Sequence, residues 1–455
     1  MFPDLAESQP EVIARHRTEA GSRKQAAIYW QRAGELALRR SAGNEALKHF
    51  SSALGLLEEL PDATERWHQE LDVRLGLGTA LIIAHGFRIA GHEIADHYDR
   101  AVTLGRGLGA DKKLFRAMWG NWYTKIITGQ TEPAHAIANE LVTVAEQLAD
   151  PDLLLEAYHS RWANSHVLGF NSNTLADAER GIQLYDPERH HAHAYDYGGH
   201  DTGVCAYAHG AITLWVMGFP EKAIQMSISA LELGHRLRHP PSLAHAAWWS
   251  AALQQLLRAP EPCRENAELT IRIGREQGTN VFVICPLLLG WCIFESGQTS
   301  EGLERMEDAV EATRQSVRRF YYDYELLVFA ESLLKAGEPV RARQVIQEAL
   351  DCMATSRSRL FEAEAYRLSG ACLAFQGESE AAEAERLLLQ AIETAEQQGA
   401  LAFKLRAGTT LARLWRDQNR TGSAHDLLAP IYDQFKEGHD TPDLKEAKAL
   451  LDELS

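Results

Sequence analysis

One stretch of the sequence is similar to a zinc-binding signature. The run HEIADH, from His92 to His97, differs from the H-E-x-x-H pattern of metalloproteases by one additional residue between the histidines. A helix turns by about 100° per residue, so this spacing separates the two side chains by roughly 140° around the axis. The two histidines therefore cannot bind one zinc ion as an i, i+4 pair does, and we expect no metal here.

A second stretch, Tyr185 to Val204, is rich in histidine, aspartate, glycine and tyrosine and has no helical periodicity. Its side chains, with nearby Cys205 and His209, are admissible zinc ligands, but their spacing matches no known structural zinc site. Three interpretations are open: a metal site, a ligand or partner contact, and an ordered loop held by His-to-Asp and Tyr-to-backbone hydrogen bonds. We favour the ordered loop and expect no structural metal. The candidate functional residues of this loop are His191, His193, Tyr197, His200 and Asp201.

Enzyme motifs are missing from the sequence. Gly105, Gly107 and Gly109 resemble a nucleotide-binding loop, but they follow a helical pattern instead of a strand, so we interpret them as a helix end. The chain contains neither a G-x-x-x-x-G-K-[ST] phosphate loop nor a G-x-S-x-G nucleophile motif. The sequence therefore predicts a protein with no catalytic residue and no cofactor, which is not an enzyme.

The segment Lys24 to Pro61 predicts a helical hairpin, and the rest of the chain repeats its pattern. Small and large side chains recur at spacings of three and four, which are helical spacings. Alternating small and large residues allow two helices to pack closely. The order of these residues is that of the tetratricopeptide (TPR) pattern, W-x2-[AL]-G…A-x3-F-x2-A. The residues concerned are Trp30, Ala33, Gly34 and Ala37 in the first helix and Ala46, Phe50 and Ala53 in the second.

The position of Ala53 recurs along the whole chain, mostly at intervals of 39 to 42 residues. A small residue lies seven positions before most of these anchors, and glycine often lies twelve before, where a left-handed residue would end the first helix. The anchors are Ala53, Ala101, Leu141, Gly181, Ala230, Thr270, Ala309, Ala349, Ala391 and Ile431, and the glycines are Gly129, Gly169, Gly218, Gly297 and Gly337.

This periodicity predicts an all-α, TPR-like α-solenoid, a right-handed superhelix of about ten helical hairpins with a period near 40 residues. We expect residues 1–455 to form a single continuous solenoid with one irregular insert at 185–204. Two gaps between anchors are longer than the rest, 48 and 49 residues. The insert accounts for the second, and a longer loop around AHGFRIAGHE accounts for the first. The residues expected to be buried include Trp30, Phe50, Ala53, Ala349 and Trp415.

Bulk composition excludes several classes of function. The net charge of −17 would repel a nucleic acid on average. The six cysteines contain no C-x-x-C pair and are interpreted as core thiols of a reducing, cytoplasmic protein. The N-terminal segment does not resemble a signal peptide. The longest apolar run, Val281 to Phe294, has fourteen residues, which is too short to span a bilayer and predicts a buried helix.

Three segments of the sequence resemble one family. They are PEVIARHRTEAG…AAIYWQRAGELALRRSAGNEALKHF, YDPERHHAHAYDYGGHDTGVCAYAHGAITLWVMGFPEKAI and EAEAYRLSGACLAF…LRAGTTLARLWRDQNR…LLAPIYDQFKEGHDTPDLKEAKALLDEL. This family is the C-terminal helical-repeat region of bacterial signalling proteins that carry a nucleotidyl cyclase domain and a STAND-type (AAA-related) ATPase. The resemblance implies a sensor or interaction arm that regulates an ATPase switch. The Walker motifs and cyclase aspartates of those proteins are not found in this chain.

The first helices of a TPR array line its concave face, which defines a candidate groove for a partner or ligand. Mixed charge in this groove favours a protein partner, such as an ATPase or cyclase module, or a small effector, and disfavours a nucleic acid. The sequence leaves two alternatives to a pure interaction module: a regulatory part of an adenylate or guanylate cyclase-type ATPase, and a small-molecule effector receptor. The candidate groove residues are Gln31, Glu35, Arg39, Glu331, Lys335, Arg413 and Arg416.

Overall fold

The computed structural model describes residues 7–85, 91–277, 284–375 and 377–455, and over these ranges the chain is helical and contains no β-strand. None of the described helices is both long and apolar enough to cross a membrane. The first helices are α1 (Pro10–Glu19), α2 (Arg23–Arg39), α3 (Gly43–Glu58), α4 (Thr64–His85), α5 (Gly91–Leu108), α6 (Asp111–Ile127), α7 (Thr131–Leu148), α8 (Pro151–Val167), α9 (Asn171–Leu184), α10 (Pro187–His190), α11 (Thr202–Val216) and α12 (Pro220–Leu237). The remaining helices are α13 (Pro240–Leu256), α14 (Pro260–Glu276), α15 (Ile284–Glu295), α16 (Thr299–Arg314), α17 (Tyr322–Lys335), α18 (Pro339–Ser356), α19 (Glu362–Ala374), α20 (Ala381–Gln397), α21 (Leu401–Asp417), α22 (Thr421–Tyr432) and α23 (Pro442–Leu454).

Consecutive helices pair into antiparallel hairpins, and each hairpin packs against the next. Helix α1 precedes the first hairpin, and α23 follows the last one. The prediction of an α-solenoid of about ten hairpins is therefore confirmed over the described ranges. The hairpins are α2–α3, α4–α5, α6–α7, α8–α9, α11–α12, α13–α14, α15–α16, α17–α18, α19–α20 and α21–α22.

The repeat positions identified in the sequence form the contacts between the two helices of each hairpin. All ten anchor residues are buried, and so are the small residues seven positions before them, including the larger Ile94. Phe50, Ala53, Ala349 and Trp415 are buried as expected. Trp30 is only half-buried, because its indole lies at the edge of the array, stacked on His49 and donating to the Thr18 hydroxyl.

The residue twelve positions before an anchor ends the first helix in a left-handed conformation. All five predicted glycines have positive φ angles, from 72° at Gly169 to 92° at Gly218. Ser41, Arg258 and Asn419 take the same conformation at the equivalent positions of other hairpins, with φ between 56° and 60°. The backbone turn is thus common to the repeats, while the glycine is not.

Three sequence-based expectations concern the segments between regular helices and the apolar run. The segment expected to be irregular from 185 to 204 contains the short helix α10 and a 3-10 turn at His191–Tyr195, and it ends at Asp201 because α11 begins at Thr202. Half of the longer loop expected around AHGFRIAGHE, residues 86–90, lies outside the described residues. The apolar run expected to form a buried helix is described from Ile284, and α15 is mostly buried.

Successive turns of the superhelix contact each other directly. Several of these contacts join the end of one first helix to the start of the first helix five hairpins later. Arg319 donates its backbone N–H to the carbonyl of Ile127 at 2.8 Å, and Arg359 donates to Val167 at 2.9 Å. The first and sixth hairpins are also five apart, and between them the Ser41 hydroxyl lies 3.2 Å from Nε2 of His239. The solenoid therefore completes a turn in about five hairpins and closes on itself.

Helix α23 occupies the position of an eleventh first helix and closes the second turn through a buried ion-pair network. Asp443 accepts from Arg258 at 2.6 Å and from Arg406 at 2.8 Å. Glu331 binds the same Arg258 at 3.2 Å and also Arg367 at 2.8 Å. Burial alone would raise the pKa of Asp443, but the charges of Arg406 and Arg258 outweigh burial and lower it.

Contact between turns can be tested by a pair of glycine substitutions at equivalent caps. Gly129 and Gly337 both have φ of 80°, but a Cβ at Gly129 would lie 2.9 Å from Cβ of Arg319 in the next turn, whereas a Cβ at Gly337 meets nothing within 4 Å. We expect Gly337→Ala to cost about 1 kcal/mol for the left-handed backbone. Gly129→Ala should cost about 1–3 kcal/mol more because of overpacking.

Denaturant unfolding of both variants measures this difference. Equal losses at the two positions would show that the turns do not touch in solution.

Candidate functional site

The candidate groove residues lie at three separate places. Gln31 donates to Glu35 within α2, and Arg39 is exposed at the end of that helix. Glu331 belongs to the buried network around Asp443, and Lys335 of the same helix pairs with Glu295. In the last hairpin, Arg413 and Arg416 pair with Glu446 and Glu453 of α23. Most of these side chains are therefore engaged in contacts within the array.

Closure of the first superhelical turn leaves an interior cavity with about 950 Å³ of space between the atoms, part of which is open to solvent. It is lined by the first helices of five consecutive hairpins (α4, α6, α8, α11 and α13), by the insert, and by Phe320 from the next turn. The lining residues from these elements include Ile82, Ile83, Trp122, Tyr123, Ile126, His159, Ala163, Gly198, His200, Cys205, His209, Ala244, His245, Trp248, Trp249 and Phe320.

Aromatic rings form much of the cavity wall. Trp248 and Trp249 pack with ring centroids 4.2 Å apart, and Trp249 contacts the ring of His209 at 4.3 Å. On the other side, Trp122 lies edge-on to the fully buried Trp119 at 5.0 Å. Rings fixed in this way provide flat, rigid surfaces that suit stacking of a ligand.

A cysteine surrounded by histidines interrupts the apolar wall. Cys205, in the first turn of α11, is 1% exposed, and its sulfur lies 3.4 Å from Nδ1 of His209. One ligand atom of each of His159, His200 and Cys205 lies within 4.8 Å of the other two. Among the described residues, this is the one group of histidine, cysteine or acidic side chains that converges closely enough to hold a metal ion.

Behind His159, a fully buried carboxylate fixes the orientation of its ring. Glu156 of α8 binds Nδ1 of His159 at 3.0 Å and Nδ1 of His193 at 2.8 Å, and it accepts from the Thr202 hydroxyl at 2.6 Å. Burial by itself would raise the pKa of Glu156, but the hydrogen bonds from the two histidines lower it to about 2. The carboxylate is therefore charged at neutral pH and connects α8 to the insert and to α11.

The thiol of Cys205 and the ring of His159 influence each other strongly. Burial would raise the pKa of Cys205, but the nearby His159 and His209 hold it well below its ordinary value. Burial would lower the pKa of His159, but Cys205 and Glu156 raise it to about 10. Each of these two groups therefore favours the charged form of the other.

His245 of α13 forms a neutral support for the ring of His200. The two rings stack with centroids 3.9 Å apart and an angle of 6° between their planes. Nε2 of His245 accepts from the indole of Trp249 at 3.1 Å. Burial and the neighbouring His200 lower the pKa of His245 to about 3, so it is uncharged at neutral pH.

The insert is an ordered segment held around Asp201. This fully buried carboxylate accepts from the Tyr185 hydroxyl at 2.8 Å and from the backbone N–H of Val204, and it lies 3.0 Å from Nδ1 of His191. Tyr197, the remaining loop candidate, is buried with its ring 5.2 Å from that of Trp119. The hydrogen-bonded loop favoured from the sequence is therefore present, although Tyr185 donates to a side chain and not to the backbone.

Sequence reasoning named His200, Cys205 and His209 but missed Glu156, His159 and His245, the residues on α8 and α13 that complete the site. A signal for them existed in the repeat register. The position 25 residues before an anchor carries Arg116, Glu156, Cys205 and His245 in four consecutive hairpins. Three of these four belong to the buried histidine and cysteine cluster or support it directly, which marks this position as facing the interior.

Comparisons with known proteins identify relatives of the fold. No protein-family model matches the chain. It is 25% identical, over 407 residues, to an uncharacterized protein of Rhizobium meliloti, R02095. This match covers 89% of the chain but 39% of that protein, so the chain spans about two fifths of the length of its relative.

Among solved structures, the APC/C hetero-tetramer Cut9-Hcn1 is similar with a TM-score of 0.53 and 13% identity, over 95% of this chain and 76% of that chain. A Rap protein complexed with competence and sporulation factor gives 0.48 and 14% over 88% and 99% of the two chains. A STAND protein with a tetratricopeptide repeat sensor from Pyrococcus horikoshii gives 0.44 and 13% over 85% and 56%. At these identities the likeness concerns the fold, which is that of a TPR-like helical-repeat protein.

The role of Asp201 as the centre of the insert leads to a testable expectation. Asp201→Asn removes the negative charge to which the Tyr185 hydroxyl, the His191 imidazole and the backbone N–H of Val204 are bound. This loss should lower the free energy of unfolding by about 1–3 kcal/mol. Hydrogen exchange of residues 186–200 should accelerate more than that of α11. Asp433→Asn, at an exposed carboxylate, is the matched control and should leave both quantities unchanged. Unaltered exchange in the insert of Asp201→Asn would contradict this assignment.

Proposed function

We propose that this chain is a non-enzymatic sensor module that binds a small effector inside its first superhelical turn and transmits the occupancy to a protein partner. The observation that carries the proposal is the aromatic cavity at the centre of that turn. Its mostly apolar lining, with a few converging polar groups, is that of small-molecule sites.

The contacts within the array favour a sensor that binds a small effector in its cavity over one that binds a peptide in an open groove. A turn of five hairpins leaves little room along the axis for an extended chain. Two of the candidate groove arginines, Arg413 and Arg416, are already paired with α23. The cavity instead offers space that a compact molecule could fill. His245, which lines it, is uncharged at neutral pH and adds no charge to the wall.

The same geometry offers a route from the cavity to the surface of the array. A ligand in the cavity touches five consecutive hairpins and also Phe320, which belongs to the next turn. A change in the angle between hairpins at the cavity would therefore alter the contacts between turns, including the hydrogen bond of Arg319 to Ile127. In a solenoid each repeat contacts few repeats other than its neighbours. A change in the angle between two hairpins therefore changes the position of the hairpins that follow.

The partner that we propose is a signalling ATPase or cyclase module in the bacterial cytoplasm. Support comes from the resemblance of three segments to the repeat regions of such proteins and from the greater length of the Rhizobium meliloti relative. The alternative is that the chain is the regulatory part of an adenylate or guanylate cyclase-type ATPase.

The first expected outcome concerns catalysis. Because no phosphate loop occurs in the sequence, the purified chain should neither hydrolyse ATP nor form cyclic nucleotides. Phosphate release and product chromatography measure these activities. ATP turnover that persists through successive purification steps and co-elutes with the chain would overturn the non-enzyme assignment.

The second expected outcome concerns the cavity. An environment-sensitive apolar dye should bind the chain and quench the tryptophan fluorescence of Trp122, Trp248 and Trp249, which line the cavity. Ala163→Phe places a ring in the cavity and should reduce the affinity for the dye at least tenfold.

Val340→Phe is the control, since Val340 is 69% exposed, and it should bind the dye as the wild type does. Equal dye binding by Ala163→Phe and the wild type would exclude the cavity as the binding site. Circular dichroism of each variant checks that the array is intact.

A further inference from the structure

Three side chains from separate elements meet at one point of the cavity wall. His159 comes from α8, His200 from the end of the insert, and Cys205 from the first turn of α11. One ligand atom of each lies within 4.8 Å of the other two, and all three residues line the cavity. Their convergence depends on the packing of α8 against α11 and on the insert between these two neighbouring hairpins.

The hydrogen bonds behind the two histidines decide which ring nitrogen faces the cluster. Nδ1 of His159 is bound to the Glu156 carboxylate at 3.0 Å, and Nδ1 of His200 is bound to the carbonyl of Gly198 at 3.1 Å. A carboxylate and a carbonyl only accept, so each Nδ1 must carry the hydrogen. Nε2 of each ring is left as the atom available to a ligand, which is the arrangement found behind metal-binding histidines.

One of these atoms has no partner in the protein. Nε2 of His200 is buried and makes no hydrogen bond, and Nε2 of the neighbouring His209 is in the same condition. A buried nitrogen left without a hydrogen bond is unfavourable. The stacked ring of His245 nevertheless holds His200 in this orientation. A ligand at the centre of the cluster would remove that cost.

We propose that His159, His200 and Cys205 bind a zinc-class divalent ion, with the fourth coordination position open to the cavity. Thiolate and imidazole ligands select zinc or copper over calcium and magnesium. In a tetrahedral zinc site, ligand atoms lie about 3.3–3.6 Å apart. Closing the cluster around an ion therefore requires shifts of about 1.5 Å or less.

This site differs from the one considered in the sequence analysis. There, metal ligands were sought in the histidine-rich segment, and no structural metal was expected. The proposed site takes one ligand from that segment and two from helices, and its open position is typical of ions that bind a further molecule. It stands independently of the receptor proposal, since a metal-free cavity could also accept an effector.

Cobalt titration of the full chain tests the proposal. After removal of metals with a chelator, Co²⁺ added under anaerobic conditions should bind at one equivalent per chain. It should give the intense visible bands of a tetrahedral ion and a thiolate-to-cobalt charge-transfer band in the near ultraviolet. Zinc added afterwards should displace the cobalt and abolish both features.

Two ligand variants and one control make the outcome specific. Cys205→Ser should lose the charge-transfer band, and His200→Gln should weaken cobalt binding by at least tenfold. Cys352→Ser, at a partly buried thiol outside the cavity, should behave as the wild type. Circular dichroism and the dye titration establish that each variant keeps its fold and its cavity. Failure of the wild-type chain to take up one tetrahedral cobalt ion, or an unchanged spectrum in Cys205→Ser, would overturn the metal site and leave the receptor proposal in place.

Discussion

The contact between successive turns of the superhelix is the constraint on which the rest of this structure depends. The left-handed residues Ser41, Gly129, Gly169 and Gly218 each follow a first helix and lie close to the start of the first helix five hairpins later. At Gly218, for example, a Cβ would come within 2.7 Å of the Leu401 side chain. A looser superhelix would have an open channel along its axis. Because the turns touch, the space inside the first turn forms a cavity.

The two turns of the array use different chemistry in their interiors. The second turn is closed by charges, since Arg258, Arg406 and Asp443 satisfy one another in a buried network that includes α23. Such networks favour one arrangement of the helices more than they raise the free energy of unfolding. The reason is that the cost of removing the charges from water offsets much of their attraction. The first turn instead contains aromatic rings, histidines and a cysteine around unfilled space. The candidate site therefore lies in the first turn, where these side chains surround the cavity.

The insert after α9 is the element that converts a repeat protein into one with a polar site. Asp201 fixes its end at the start of α11, and Glu156 connects His193 to α8. These two buried carboxylates hold the insert against the cavity, where Gly198 and His200 form part of the wall. An uninterrupted hairpin would have placed apolar helix faces there. The loss of periodicity in the sequence therefore marks the part of the first turn in which the candidate site lies.

The sequence by itself determined the all-α class, the number of hairpins, the register of their contacts and the left-handed caps. These properties follow from local spacing, since the anchor and the residue seven positions before it meet within one hairpin. Only the tertiary structure decided what lies inside the superhelix. Small differences in the angle between neighbouring hairpins accumulate over five units, so the contact of Arg319 with Ile127 cannot be inferred from either segment. The meeting of His159, His200 and Cys205 likewise depends on how α8, the insert and α11 pack against one another, which the local spacing of side chains does not determine.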